Sequence, residues 1–139
     1  MTSDVKIASA RQQQSKTDKD ALFDKLRLKP RKRYELKVRI GDEDMDFVFE
    51  ALSSTSLDKL KEKHPPTKAQ RAEGLGINSM TFNPALVAAT LVEPLVLNEE
   101  EAKEIFASDY WSTGELQQIV DAASRVCLEG MDVPSNASV

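Results

Sequence analysis

Two side chains in this sequence have the chemistry of a covalent catalyst. His64 is the single histidine and Cys127 the single cysteine. A thiol within reach of an imidazole is a nucleophile–base pair. Their surroundings point elsewhere. Cys127 continues an apolar helical stripe of Leu116, Ile119, Val120 and Ala123, where a free cysteine acts as a small buried hydrophobe. His64 precedes Pro65 and Pro66, so it closes a helix near the C-terminal end of its dipole, where a protonated imidazole is favoured. Carboxylates gather at Gly41–Asp44 ("GDED") and at Asn98–Glu101 ("NEEE"). The first lacks the twelve-residue loop of a calcium site and reads as a solvated turn. The second places glutamates in a first helical turn, where they favour the dipole. One histidine and one cysteine far apart form no metal-ligand spacing. No glycine-rich phosphate loop, dinucleotide fingerprint or nucleophile elbow occurs. A hydrolytic carboxylate pair meets only in space, and nothing here points to one. No catalytic residue, metal ligand or cofactor is therefore expected.

Charge is unevenly spread. Residues 1–33 carry ten Lys/Arg against four Asp/Glu, and residues 34–139 carry nine against nineteen, within a net charge of −4. The basic stretch Lys25–Arg33 has the charge for phosphate contacts. It has no interleaved aromatics for base stacking, and only Tyr34 follows it. An acidic protein face, the chain's own body included, is the better partner, and nucleic-acid binding is not expected. Tyr110 and Trp111, in "FASDYWS", either close the core or anchor a partner, as interface aromatics often do.

These residues need elements to position them. The 139 residues fit one domain, and 40% hydrophobic with 30% charged residues indicates a folding chain. No run of eighteen apolar residues spans a membrane. The first twenty residues lack the apolar stretch of a signal peptide, and one cysteine makes no internal disulfide, which fits a reducing cytoplasm. Residues 1–16 read as a mobile tail. Thr17 caps a short helix carrying Leu22, Phe23 and Leu26 on one face, which Pro30 stops by about Lys29. "RYELKVRI" alternates, with Tyr34, Leu36, Val38 and Ile40 on one side. "MDFVFEAL" does so again, with Met45, Phe47 and Phe49 opposed to Asp46, Val48 and Glu50, and the pair reads as a β-hairpin around "GDED".

A lone hairpin is marginal in water, so its apolar face needs helices. "SSTSLDKLKEKH" supplies one, with Leu57 and Leu60 on one face, ended by Pro65 and Pro66. Thr67 caps a second through "TKAQRAE", closed by Gly74 and Gly76. Asn83 as cap and Pro84 at the first helical position start a third, apolar nearly all round and so central, which Pro94 ends. Asn98 caps a fourth, with Ala102, Ile105 and Phe106 inward. Ser112 and Glu115 form a capping box for the last helix, which Gly130 ends. The expected fold is α+β, an N-terminal β-hairpin packed on a mainly α-helical domain of four to five short helices. The expected division is a flexible basic arm with a short helix (1–32), a domain (33–131) and an irregular C-terminal tail (132–139).

The order "DFVFEALSSTSLDKL", "KEKHPPTKAQR", "TFNPALVAATLVEP", a glutamate-rich helix start and "WSTGELQQIVDAASRVC" resembles the tail assembly chaperones of long-tailed, non-contractile bacteriophages, in the form found in phages of actinobacteria. The resemblance covers about Arg33 to Met131. Its most telling elements are "HPPT" with Gln70, and "FNPALVAATLVEP"; neither is catalytic.

The resemblance implies a non-enzymatic protein that binds the tape measure protein and keeps it soluble. It also implies recruitment of tail tube subunits, through a longer product of programmed frameshifting, with this chain as the short form. Such a protein works in the host cell cytoplasm and is absent from the mature virion. A holder of long amphipathic segments needs apolar grooves and an acidic exterior. The candidate protein-binding residues are Leu86, Val87, Leu91, Ile105, Phe106, Tyr110 and Trp111. Residues 1–32 are a candidate partner-binding or self-association segment, so a homo-oligomer is among the expectations. Two alternatives stand beside this reading: a structural tail or head-completion protein of the virion, and a small DNA-binding regulator using the basic arm.

Overall fold

A computed structural model describes residues 17–128 of the chain. The expected tails, 1–16 and 132–139, and the helix stop at Gly130 lie outside the described residues. Contacts divide the chain into two compact units, Met1–Pro30 and Arg31–Val139. In the first, residues 17–27 form helix α1. Leu28 N–H donates to the Asp24 carbonyl at 2.9 Å, and Arg27 pairs with the Asp24 carboxylate at 2.9 Å. Leu22, Phe23 and Leu26 recur one turn apart, as expected, and all three are exposed.

The second unit begins with the hairpin. Strands β1 (Arg33–Ile40) and β2 (Glu43–Glu50) pair antiparallel, Leu36 opposite Phe47 and Val38 opposite Met45. The turn is two residues shorter than "GDED". Gly41 adopts φ 61°, the left-handed conformation that a tight hairpin turn requires, and Glu43 and Asp44 already belong to β2. Arg39 reaches across to Asp44 at 3.2 Å. The sheet has a third strand that the sequence reading did not include. β3 (Leu91–Glu93) adds antiparallel to β2, giving the order β1-β2-β3. Its three residues were read as the end of a helix, because so short a strand leaves no alternation to detect. Once flanked on both sides, β2 buries Val48 as well as Phe47 and Phe49.

Helix α2 (Ser54–Glu62) is capped by Ser53, whose hydroxyl accepts from Ser56 N–H at 3.1 Å, and buries Leu57 and Leu60. Helix α3 (Lys68–Ala72) opens with a capping box between Thr67 and Gln70, and Gly74 follows at φ 83°. Helix α4 (Ser79–Thr90) starts a turn earlier than Asn83–Pro84 suggests. Its cap is Asn78, which accepts from Met80 N–H at 3.2 Å. Pro84 sits inside the helix, where its missing N–H leaves the Met80 carbonyl without an intrahelical donor. Helices α5 (Glu99–Ala107) and α6 (Thr113–Leu128) begin at Asn98 and Ser112 as expected.

α4 is the centre. Phe82, Ala85, Leu86 and Val87 are buried, and α4 packs on α2, α5 and α6 while α6 packs on β1 and β2. Thr90 is fully buried and satisfied, its hydroxyl donating to the Leu86 carbonyl at 2.8 Å. The α+β expectation, an N-terminal hairpin followed by helices, matches this arrangement.

The capping box of α6 makes a pH prediction. Ser112 N–H donates to Glu115 at 2.9 Å and the Ser112 hydroxyl accepts from Glu115 N–H at 3.2 Å. The hydrogen bonds from the Ser112 backbone and side chain hold the Glu115 carboxyl below its ordinary value. A lowered folded-state value means the cap stabilises above the unfolded carboxylate's value and loses that contribution as pH falls through the folded one. Amide exchange at residues 112–116 should accelerate in acid, beyond intrinsic rates, before α4 amides change. Equal protection of both regions throughout acidification would contradict this.

Candidate functional site: an apolar groove

Ten side chains from seven places in the chain line one depression of about 120 Å³ in the second unit. Phe47 comes from β2, Val87 and Leu91 from α4 and β3, Leu95 and Leu97 from the segment after β3. Ala102, Ile105 and Phe106 come from α5, Trp111 from the loop after it, and Ile119 from α6. All ten are apolar apart from the indole nitrogen. α5 presents this face because Ala102, Ile105 and Phe106 fall at i, i+3 and i+4. Ala102 is fully buried, whereas Ile105, Phe106 and Trp111 are half-buried and Leu95 is exposed. The floor is therefore core, and the lip meets water.

Of the seven residues expected to bind protein, five meet here: Val87, Leu91, Ile105, Phe106 and Trp111. Leu86 is not among them. It is 2% exposed, on the side of α4 turned into the core. Tyr110 is 92% exposed and borders a second depression with Arg39, Ile40, Gly41 and Glu115, with Trp111 forming the wall between the two. The sequence reading missed Phe47, Leu95, Leu97, Ala102 and Ile119 as groove residues. For Leu95 and Leu97 a signal existed: "PLVL" puts three large apolar residues in a loop between a proline and a helix cap.

His64 is a buried structural group. It lies beyond the C-cap Lys63, 8% exposed, with its ring edge-on to Phe82 at a centroid distance of 6.1 Å. Its Nδ1 is 3.0 Å from the Thr81 hydroxyl, which itself donates to the Asn78 carbonyl at 3.2 Å. The hydroxyl proton being committed, His64 donates through Nδ1–H, and Nε2 keeps a buried lone pair without a partner. The ring expected at a helix end is thus a buried member of a polar corner. Asn78 completes that corner, its N–H donating to the His64 carbonyl at 2.9 Å and its side chain accepting from Gln70 at 3.2 Å.

Cys127 and His64 are not brought together by these bonds. The Cys127 thiol is half-buried and accepts from Leu52 N–H at 3.4 Å, and burial pushes its pKa up, away from the thiolate. Part of the basic stretch is engaged locally: Arg31 and Arg33 both pair with Glu50, at 2.7 and 3.0 Å. Among the described residues no three His, Cys, Asp or Glu side chains gather as metal ligands, and no helix is long and apolar enough to cross a membrane. No protein-family model, curated protein or solved structure matches the chain.

The corner is testable through Thr81. Thr81→Val keeps the side chain's shape and removes the acceptor for His64 Nδ1–H, which should cost about 1–3 kcal/mol in urea denaturation. Long-range proton–nitrogen spectra of the unaltered protein should show the Nδ1–H tautomer. Nε2–H protonation with an unchanged midpoint for the variant would refute the assignment.

Proposed function

We propose that this chain is a non-enzymatic tail assembly chaperone that holds amphipathic segments of a phage tape measure protein. The groove carries the reading. Its lip is apolar and wet, and a monomer gains nothing from exposing Leu95 (50%) and Val96 (70%) beside it unless something covers them. A depression of about 120 Å³ has room for one large apolar side chain, the anchor of an amphipathic helix laid along the lip, which is the helix-in-groove mode of recognition. Around it the chain is acidic: residues 99–109 carry Glu99, Glu100, Glu101, Glu104 and Asp109 against Lys103. That exterior keeps a complex with an apolar client in solution.

On this reading the protein acts in the host cytoplasm, tail tube subunits join through a longer frameshifted product, and the chain leaves before the virion matures. A virion subunit is the second reading. It is favoured by the sheet order, in which the outer edge of β1 has no strand partner among the described residues and so suits strand addition. The composition of purified particles separates the two: a chaperone is missing, and a subunit is present in fixed copy number.

Co-expression with the tape measure protein of the same phage is the direct test. The client should move into the soluble fraction with the unaltered chain. It should return to the pellet with Leu95→Asp, a lip substitution outside the buried core. A client that stays insoluble beside the unaltered chain would sink the proposal.

A further inference from the structure

The first unit carries an apolar face, and the second an apolar groove. Leu22, Phe23 and Leu26 of α1 are 57%, 59% and 67% exposed, at i, i+1 and i+4 on one side of the helix. Short helices in water draw most of their stability from packing such a face, so α1 has the face of a docking helix. The groove has the complementary feature, a lip of exposed Leu95 with half-buried Ile105, Phe106 and Trp111. Within α1 the charges balance, Asp18, Asp20 and Asp24 against Lys19, Lys25 and Arg27, but the stretch from Lys25 to Arg33 carries cations and no carboxylate, while α5, one wall of the groove, begins with three consecutive glutamates and carries Glu104 beside Ile105.

We propose that α1 of one copy seats Leu22, Phe23 and Leu26 in the apolar groove of a second copy. Each chain has one helix and one groove, so two copies exchanging α1 reciprocally satisfy both and close a twofold dimer. The inference goes beyond the client reading and does not require a phage partner. It gives the groove a resident occupant, which a longer or tighter amphipathic client displaces. The arm then shields the lip while no client is present.

Trp111 is the single tryptophan and lines the groove, so its emission reports occupancy. Sedimentation equilibrium of the full chain should show the mass doubling from 15.5 kDa across a dilution series. Trp111 emission should move to shorter wavelength over the same concentrations. The exposed double substitution Leu22→Asp/Phe23→Asp should stay monomeric and lose the shift, and so should Leu95→Asp. Mixing these two variants should restore a dimer, because one keeps a groove and the other an arm. A monomer at every concentration overturns the proposal, as does a dimer that survives either variant. So does a Trp111 shift that is independent of concentration but lost in the α1 variant, since that means a chain fills its own groove. Titrating a synthetic amphipathic helical peptide onto the monomeric α1 variant isolates the groove. Peptide binding there without self-association overturns this inference alone and leaves client holding intact.

Discussion

Helix α4 is apolar around nearly its whole circumference, and keeping water from all of it is the constraint that organises the second unit. Phe82, Ala85, Leu86, Val87 and Ala88 point in several directions and are all buried. No single layer covers such a helix. The molecule surrounds it with α2, α5 and α6, and α6 in turn joins it to the sheet. Enclosure is incomplete on one side. Where α5 and the segment 94–98 cover Val87 and Leu91, the seam between them stays partly open, and that seam is the groove. Its apolar character follows from its position, since its floor is the flank of the core helix.

The enclosure needs its pieces held at fixed angles, and a small polar corner does this. Pro65 and Pro66 break the chain after α2, and the capping box of Thr67 and Gln70 restarts it as α3. Asn78 then caps α4 and accepts from Gln70, while Thr81 bonds the His64 ring. Five polar side chains, His64, Thr67, Gln70, Asn78 and Thr81, thus join the end of α2, the start of α3 and the first turn of α4. Each of these hydrogen bonds contributes about 1 kcal/mol net. Their larger effect is on direction, because a buried imidazole that lost its acceptor would be costly.

Much of this was legible from local signals. The alternation of β1 set its bounds, and Ser53, Thr67, Asn98 and Ser112 announced their helices by capping chemistry. Three features were not legible, each for a physical reason. β3 is too short to show a period and forms only because β2 offers an edge. The start of α4 was misplaced because Asn83–Pro84 imitates a cap and first helical position inside the helix that Asn78 caps through Met80 N–H. The groove was half legible: Val87, Leu91, Ile105, Phe106 and Trp111 are apolar on helices or beside them, but nothing local says which apolar residue reaches the surface. Leu86 and Val87 are neighbours with the same chemistry, and only packing separates them.

The account thus rests on one claim, that the unfinished side of a core helix serves as a receptor for amphipathic helices. The most direct measurement is a titration of the full chain with a helical peptide from the proposed client, a tape measure protein, followed by amide and indole chemical shifts. The account predicts the largest changes at the Trp111 indole, along α5 and at residues 95–97, with α3 and the outer edge of β1 silent. Changes centred on that edge, or no changes at the groove at saturating peptide, would contradict it.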